Sequence, residues 1–158
     1  MIDRSELAQR LVKILPPIMR RAGSDLRARF PLIDPAHFGI MMSLKHSACT
    51  ITSLSCVHAV RPATMSKSID TLVERGWVNR QPSRLDRRKV ELMLTPEGAA
   101  QVESVHEYLL GRITSALAPL SDDDLERLSD GINIMLRVVI NMEQTELLEQ
   151  SPQKIMEV

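Results

Sequence analysis

"SRLDRRKVELMLTPEG", residues 83–98, passes from a cationic knot through an alternating apolar segment into a helix start. Arg84, Arg87, Arg88 and Lys89 crowd around one acid, Asp86. Val90, Leu92 and Leu94 then recur at every second residue, the period of a strand with one buried face. Thr95-Pro96-Glu97 supplies a helix cap, a proline at the first helical position and an early acid that suits the helix dipole. Upstream, "WVNRQ" (residues 77–81) is also strand-like, so "PSRLDRR" (82–88) joins two strands as a hairpin.

Reading outward from the hairpin, "ATMSKSIDTLVERG" (63–76) places Met65, Ile69, Leu72 and Val73 on one stripe of a helix, with Gly76 as its stop. A shorter helix, "ITSLSCVHA" (51–59), precedes it, capped by Thr50, with a turn at Val60–Pro62. "IDPAHFGIMMSLKHS" (33–47) opens on Asp34 as cap and Pro35 at the first position, spaces Ile33 and Phe38 as a hydrophobic staple, and should end near Ser47. Leu7, Leu11, Ile14 and Leu15 predict an N-terminal helix over 4–15; Pro16-Pro17 is expected to break or kink it, with a further helix running from Pro17 to about Arg29. Downstream, the helix begun at Thr95 is predicted to reach about Leu120. Ser121 then caps a last helix with Asp122, Asp123 and Asp124 in its first turn and a stripe of Leu125, Leu128, Ile132, Met135, Leu136, Val139 and Met142.

Two short helices, a tight turn and a hairpin predict a winged helix-turn-helix: a mainly α chain with a small β-hairpin wing and flanking dimerisation helices. The expected domains are 1–33 (N-terminal dimerisation region), 34–98 (DNA-binding domain) and 99–158 (C-terminal dimerisation helices). The flanking helices are too apolar on one side to be satisfied alone, which predicts packing on a second copy, a homodimer.

Composition narrows the classes. With 158 residues the chain suits one domain, or one with a helical extension. Lys plus Arg and Asp plus Glu balance at 20 each, yet residues 61–89 hold eight bases against three acids, 1–30 seven against three, and 121–158 three against nine. Two cysteines make no disulfide scaffold, no secretory leader opens the chain, and no apolar run nears the roughly 18 residues of a membrane span, so a cytoplasmic home without a membrane partner is expected. Catalysis finds no foothold: there is no Gly-x-Ser-x-Gly, no His-Glu-x-x-His and no phosphate-cradling glycine loop, and no cofactor is called for. His46, Cys49, Cys56 and His58 fall within thirteen residues but match no closed zinc spacing, so no metal site is assigned. Cys49 reads as a small core filler, and redox sensing through Cys56 is the weaker reading.

The segment "TITSLSCVHAVRPATMSKSIDTLVERGWVNRQPSRLDRRKVELMLTPEG" resembles the multiple-antibiotic-resistance regulator (MarR) family of bacterial transcription factors. "DRRKVELMLTPEG", an Asp and two Arg, a strand, then Leu-Thr-x-x-Gly opening a helix, carries the resemblance most specifically; "LVERGWVNR" supports it. It implies a homodimer on a pseudopalindromic operator, commonly a repressor released by a small ligand or by oxidation. It also implies that Asp86 and Arg88 form a structural pair in the wing, with Arg84 and Arg87 on the groove or backbone. A ligand pocket between the DNA-binding lobe and the dimer helices makes Arg20, His37, Met41 and Met42 the candidates. Three departures stand out: His58 where the third helix usually carries an aliphatic residue, Ser55 where Ala is common, both expected to loosen that helix, and Pro16-Pro17.

The residues themselves suit a double-stranded DNA partner. A helix entering the major groove offers its N-terminal side chains to base edges. Arg61 can pair bidentately with guanine, Thr64 and Ser66 can reach bases or phosphate, Pro62 and Ala63 can touch a thymine methyl, and Lys67 adds positive charge on the same helix. Acids begin only at Asp70 and Glu74. A hairpin projecting Arg84, Arg87 and Arg88 can track phosphates or enter the minor groove. The rival class is a winged-helix protein-interaction module without specific DNA binding, which would use the acidic C-terminal helix to hold a partner.

Overall fold

A computed structural model describes residues 3–83 and 89–150, the stretch 143–150 as helix backbone only. In chain order the elements are α1 (Arg4–Arg29), α2 (Pro35–His46), α3 (Ile51–Val57), α4 (Pro62–Glu74), β1 (Val78–Pro82), β2 (Val90–Leu94), α5 (Pro96–Leu117) and α6 (Asp122–Gln150). They fall into two compact units, one running through Gly111 and the other from Arg112 onward.

Local signals set most of the boundaries in the first unit. Asp34 caps α2 by accepting from the Ala36 amide at 2.8 Å, with Pro35 at the position whose missing N–H costs nothing. Thr50 and Ser53 cap α3 reciprocally: the Ser53 amide donates to Thr50 Oγ1 at 3.1 Å and the Thr50 amide to Ser53 Oγ at 3.0 Å. Thr95 begins α5, its Oγ1 accepting from the Gly98 amide and donating to the Gly76 carbonyl.

The core gathers one face from each of these elements: Leu26 of α1, Ile40, Met41 and Leu44 of α2, Leu54 of α3, Met65, Ile69 and Leu72 of α4, Val78, Leu92, and Val102 and Val105 of α5. Residues at i, i+4 and i+7 of α4 share one face, and burying each such aliphatic side chain contributes about 1.5–3 kcal/mol. β1 and β2 pair antiparallel, with Val78 opposite Leu94, Arg80 opposite Leu92 and Pro82 opposite Val90. The sheet gains one more partner from outside the hairpin. Cys49, just before α3, exchanges both backbone hydrogen bonds with Leu92, at 2.8 and 3.2 Å. Edge-to-face contact of Phe30 with Tyr108 at 5.6 Å and the Lys45–Glu103 ion pair at 2.7 Å tie α5 to the elements before it. That lysine holds the Glu103 carboxyl below its ordinary pKa, chiefly through the hydrogen bond.

Two glycines in this unit are required by geometry. Gly76, at φ +73°, turns the chain from α4 into β1 in a conformation that side chains resist. Gly98 faces the Trp77 backbone so closely that a Cβ there would lie 2.0 Å from the carbonyl oxygen. Leu-Thr-x-x-Gly is therefore a docking motif: Thr95 holds the carbonyls of Gly76 and Trp77, and Gly98 lets the backbones approach.

Two expectations are corrected. α1 is one continuous helix through Pro16 and Pro17. The prolines free the carbonyls of Val12 and Lys13, but residues 12–22 are exposed throughout, so water can take the orphaned acceptors. Nor does the third helix pack loosely at its departures. It ends at Val57, leaving His58 as its cap with Nε2 3.1 Å from Ser43 Oγ, while buried Ser55 donates to the Ile51 carbonyl at 2.7 Å.

In the second unit the end of α5 turns at Leu120, whose amide donates to the Leu117 carbonyl, and Ser121 caps α6 by accepting from the Asp124 amide at 3.2 Å. No side chain described in α6 is buried; Ile132 and Leu136 are 52% and 56% exposed.

Candidate nucleic-acid interface

The α3–α4 turn determines what α4 presents. After α3 the chain passes through Ala59 at φ +50°, with the Val60 amide closing on the Ser55 carbonyl at 3.0 Å. Arg61 then occupies the cap of α4 with extended backbone, and its carbonyl accepts from Thr64 and Met65. Because Met65, Ile69 and Leu72 turn inward, Arg61, Pro62, Ala63, Thr64 and Lys67 are left exposed on the first two turns, and Ser66 is half-buried beside them. All six residues expected to meet DNA from this helix thus lie together at its N-terminal end.

Arg84, Asp86, Arg87 and Arg88 lie outside the described residues, so the proposed division of labour among them is untouched by the geometry. What is described of the hairpin closes at Ser83 and Lys89, whose backbones bond at 2.8 Å, with Ser83 Oγ donating to Glu91 at 2.6 Å. Lys89 and Val90 face α3 across an open cleft of about 620 Å³, lined on the helix side by Thr50, Ile51, Thr52, Ser53 and Cys56.

The basic surplus of residues 61–89 divides into two groups that the sequence did not separate. Arg75 donates to the Leu32 carbonyl and stacks its guanidinium 5.1 Å from the Trp77 ring centre, fastening the end of α4 to the α1–α2 corner. Arg80 pairs with Asp70 at 2.6 Å. By contrast, no hydrogen bond or ion pair engages the side chains of Arg61, Lys67 or Lys89 among the described residues. Cations fixed on their own protein have little left for a polyanion; the other three do. Lys89, seen in the sequence only as part of the cationic knot, joins the candidate set.

The effector candidates separate. Met41 is 0% exposed within the core, so a ligand could touch it only by displacing the packing, and Met42 is partly buried against the same core. Arg20 is exposed on α1. His37 is half-buried, and its Nδ1 is buried with no hydrogen-bond partner. Burial, reinforced by the nearby Arg75 charge and opposed by Asp34, holds the imidazole below its ordinary pKa. Of the remaining candidates, His46 and Cys56 are exposed and the Cys49 thiol lies 3.5 Å from the Ser47 carbonyl, and no group of three or more metal-binding side chains occurs among the described residues.

A capped short helix, a turn through one left-handed residue, a second helix with a bare polar start and a hairpin at its heel define a winged helix-turn-helix protein. Over residues 33–90 the chain matches the MarR family model. The multiple antibiotic resistance protein MarR of Escherichia coli is 37% identical over 78 residues, 49% of this chain and 54% of that one, so this chain spans about half the length of that curated relative. The HTH-type transcriptional regulator PecS of Dickeya dadantii is 32% identical over 96 residues, 58% of each chain. Among solved structures, a mutant E. coli MarR complexed with operator DNA superposes with a TM-score of 0.62 at 26% identity, covering 85% of this chain and 99% of that one.

Proposed function

We propose that this chain is a DNA-binding transcriptional regulator: a homodimeric repressor that grips a pseudopalindromic operator and is released by a small ligand or by oxidation. The observation that carries the reading is the unengaged cationic and hydroxyl face at the start of α4, with a second unengaged cation, Lys89, on the hairpin across the cleft from α3, while the other described cations of the segment are held internally. A similar fold bound to operator DNA supports it. Arg61, Pro62, Ala63, Thr64, Ser66 and Lys67 would read or grip the major groove, and Arg84, Arg87 and Arg88 the phosphates or minor groove, with Asp86 as internal strut. The exposed apolar stripes within 1–33 and 99–158 support dimerisation by those regions, which would space the two reading helices roughly 10 base pairs apart. The partnerless Nδ1 of His37 supports it as part of an effector site, for which Arg20, Met41 and Met42 are the further candidates. No helix among the described residues is long and apolar enough to cross a membrane; the cytoplasm is the expected place of work, and similarity to transcriptional regulators favours a role other than that of an enzyme.

Fluorescence anisotropy with the DNA upstream of the chain's own coding sequence, against a scrambled duplex, tests the reading. Tighter binding to the native duplex at moderate salt is expected, and Arg61→Ala should lose about 5- to 150-fold, the worth of one bidentate base contact of about 1–3 kcal/mol. Equal, weak binding to both duplexes that vanishes at modest salt would hand the fold to the protein-interaction reading instead.

A further inference from the structure

We propose that the Asp70–Arg80 ion pair is a strut that fixes the angle between the reading helix and the wing, a positioning role that rests on the DNA-binding reading above. Side chains two apart on a strand share a face, so Arg80 points the same way as buried Val78, toward α4. There its Nη2 meets Asp70 Oδ1 at 2.6 Å, one helical turn beyond Ser66 and Lys67. The corner between α4 and β1 is already pinned at one point: Gly76 makes the turn, the Trp77 amide donates to the Leu72 carbonyl at 3.0 Å, and Thr95 holds the carbonyls of both turn residues. The Cys49–Leu92 bridge fastens β2 to the lead into α3, not to α4; a second contact with α4 itself, farther out than the corner, sets the angle to that helix. Arg80 provides it, and because β1 and β2 are paired in register, whatever holds β1 holds the hairpin as far as Lys89. The closing pair of Ser83 and Lys89 lies three residues past Arg80, a lever of about 10 Å that enlarges any slack at the strut.

The pair also withholds Arg80 from DNA, which gives the test an unusual sign. Removing an acid beside a DNA-reading face ordinarily tightens binding. If Asp70 is a strut, Asp70→Asn weakens binding to the preferred duplex, by about two- to fivefold per DNA-binding unit, the scale of an exposed ion pair. Arg80→Gln should lose as much without changing the salt dependence, Arg80→Lys should keep most of the affinity, and Asp70→Arg combined with Arg80→Glu should recover part of the loss. Hydrogen exchange on the full-length chain without DNA gives a second readout: the β1 and β2 amides of Asp70→Asn should exchange faster, with the core helices unchanged. Tighter or unaltered binding by Asp70→Asn overturns the proposal, as does a salt slope shallower by about 0.9 in Arg80→Gln, the mark of a lost phosphate contact. Should the wild-type chain prefer no duplex at all, the DNA-binding reading falls and the exchange rates decide the strut alone: unaltered hairpin exchange sinks it.

Discussion

Two glycines of α5 should respond oppositely to the same substitution. Gly98→Ala places a Cβ 2.0 Å from the Trp77 carbonyl oxygen, 2.8 Å from its carbon and 3.0 Å from its Cα. Those are backbone atoms of a strand entrance and cannot rotate away. Restoring even a 3.0 Å separation from the oxygen requires a withdrawal of about 1 Å, the difference of the two distances. That movement stretches the 3.0 Å bond from the Thr95 amide to the same oxygen. Overpacking costs about 1–3 kcal/mol, and weakening that hydrogen bond adds about 1 kcal/mol. Against these, replacing glycine with alanine in a helix returns up to about 1 kcal/mol. The expected net is a loss of about 1–3 kcal/mol. Gly111, in the same helix, has nothing within 4 Å of the corresponding Cβ, so Gly111→Ala should gain up to about 1 kcal/mol. Urea unfolding at one fixed protein concentration, followed by circular dichroism, measures both, and holding concentration fixed matters because association adds to apparent stability. A Gly98→Ala protein as stable as wild type would refute the reasoning, since no other feature of that turn compensates a clash between backbones.

Lys89→Ala should make the slope of log affinity against log salt shallower by about 0.9 on the preferred duplex, one phosphate contact per binding unit, as read by anisotropy across a salt series. Acidification should reveal His37. Its folded-state pKa lies below the ordinary 6.5, so the unfolded chain binds the extra proton more readily, and stability should decline as pH drops below about 6.5 and level off once the folded form is also protonated. His37→Gln should flatten that part of the profile in thermal melts between pH 7 and 5, and an unchanged profile would count against the burial argument. Ile132→Glu with Leu136→Glu should shift sedimentation from dimer toward monomer at micromolar concentration while leaving the helical signal of the first unit in place; unaltered sedimentation would remove α6 from the interface.

Signals confined to a few adjacent residues were the legible ones. Asp34, Thr50, Thr95 and Ser121 each cap a helix by accepting from an amide two or three residues ahead, a contact that needs nothing beyond its own segment. The exposed start of α4 was equally readable, because the spacing of Met65, Ile69 and Leu72 decides which face turns inward. Pairings across the chain were not. Arg80 finds Asp70 ten residues away and Arg75 finds Leu32 forty-three residues away, so composition could count those cations but not tell which were already spent. Cys49 joins the sheet through its backbone, which no side-chain pattern announces. The α1 prolines misled for a related reason: the cost of a missing amide depends on whether water reaches the abandoned carbonyl, a property of the folded surroundings.

Because β2 pairs with β1 on one side while Leu92 spends its amide and carbonyl on Cys49 on the other, the rim of β2 that a lone hairpin would leave bare is stoppered at its middle. The opposite rim, along β1, ends in Pro82, which has no amide hydrogen to offer. A passing chain seeking to extend the sheet meets a plug on one flank and a missing donor on the other. Crowded copies of the chain can therefore sit close without their hairpins zipping into a common ribbon.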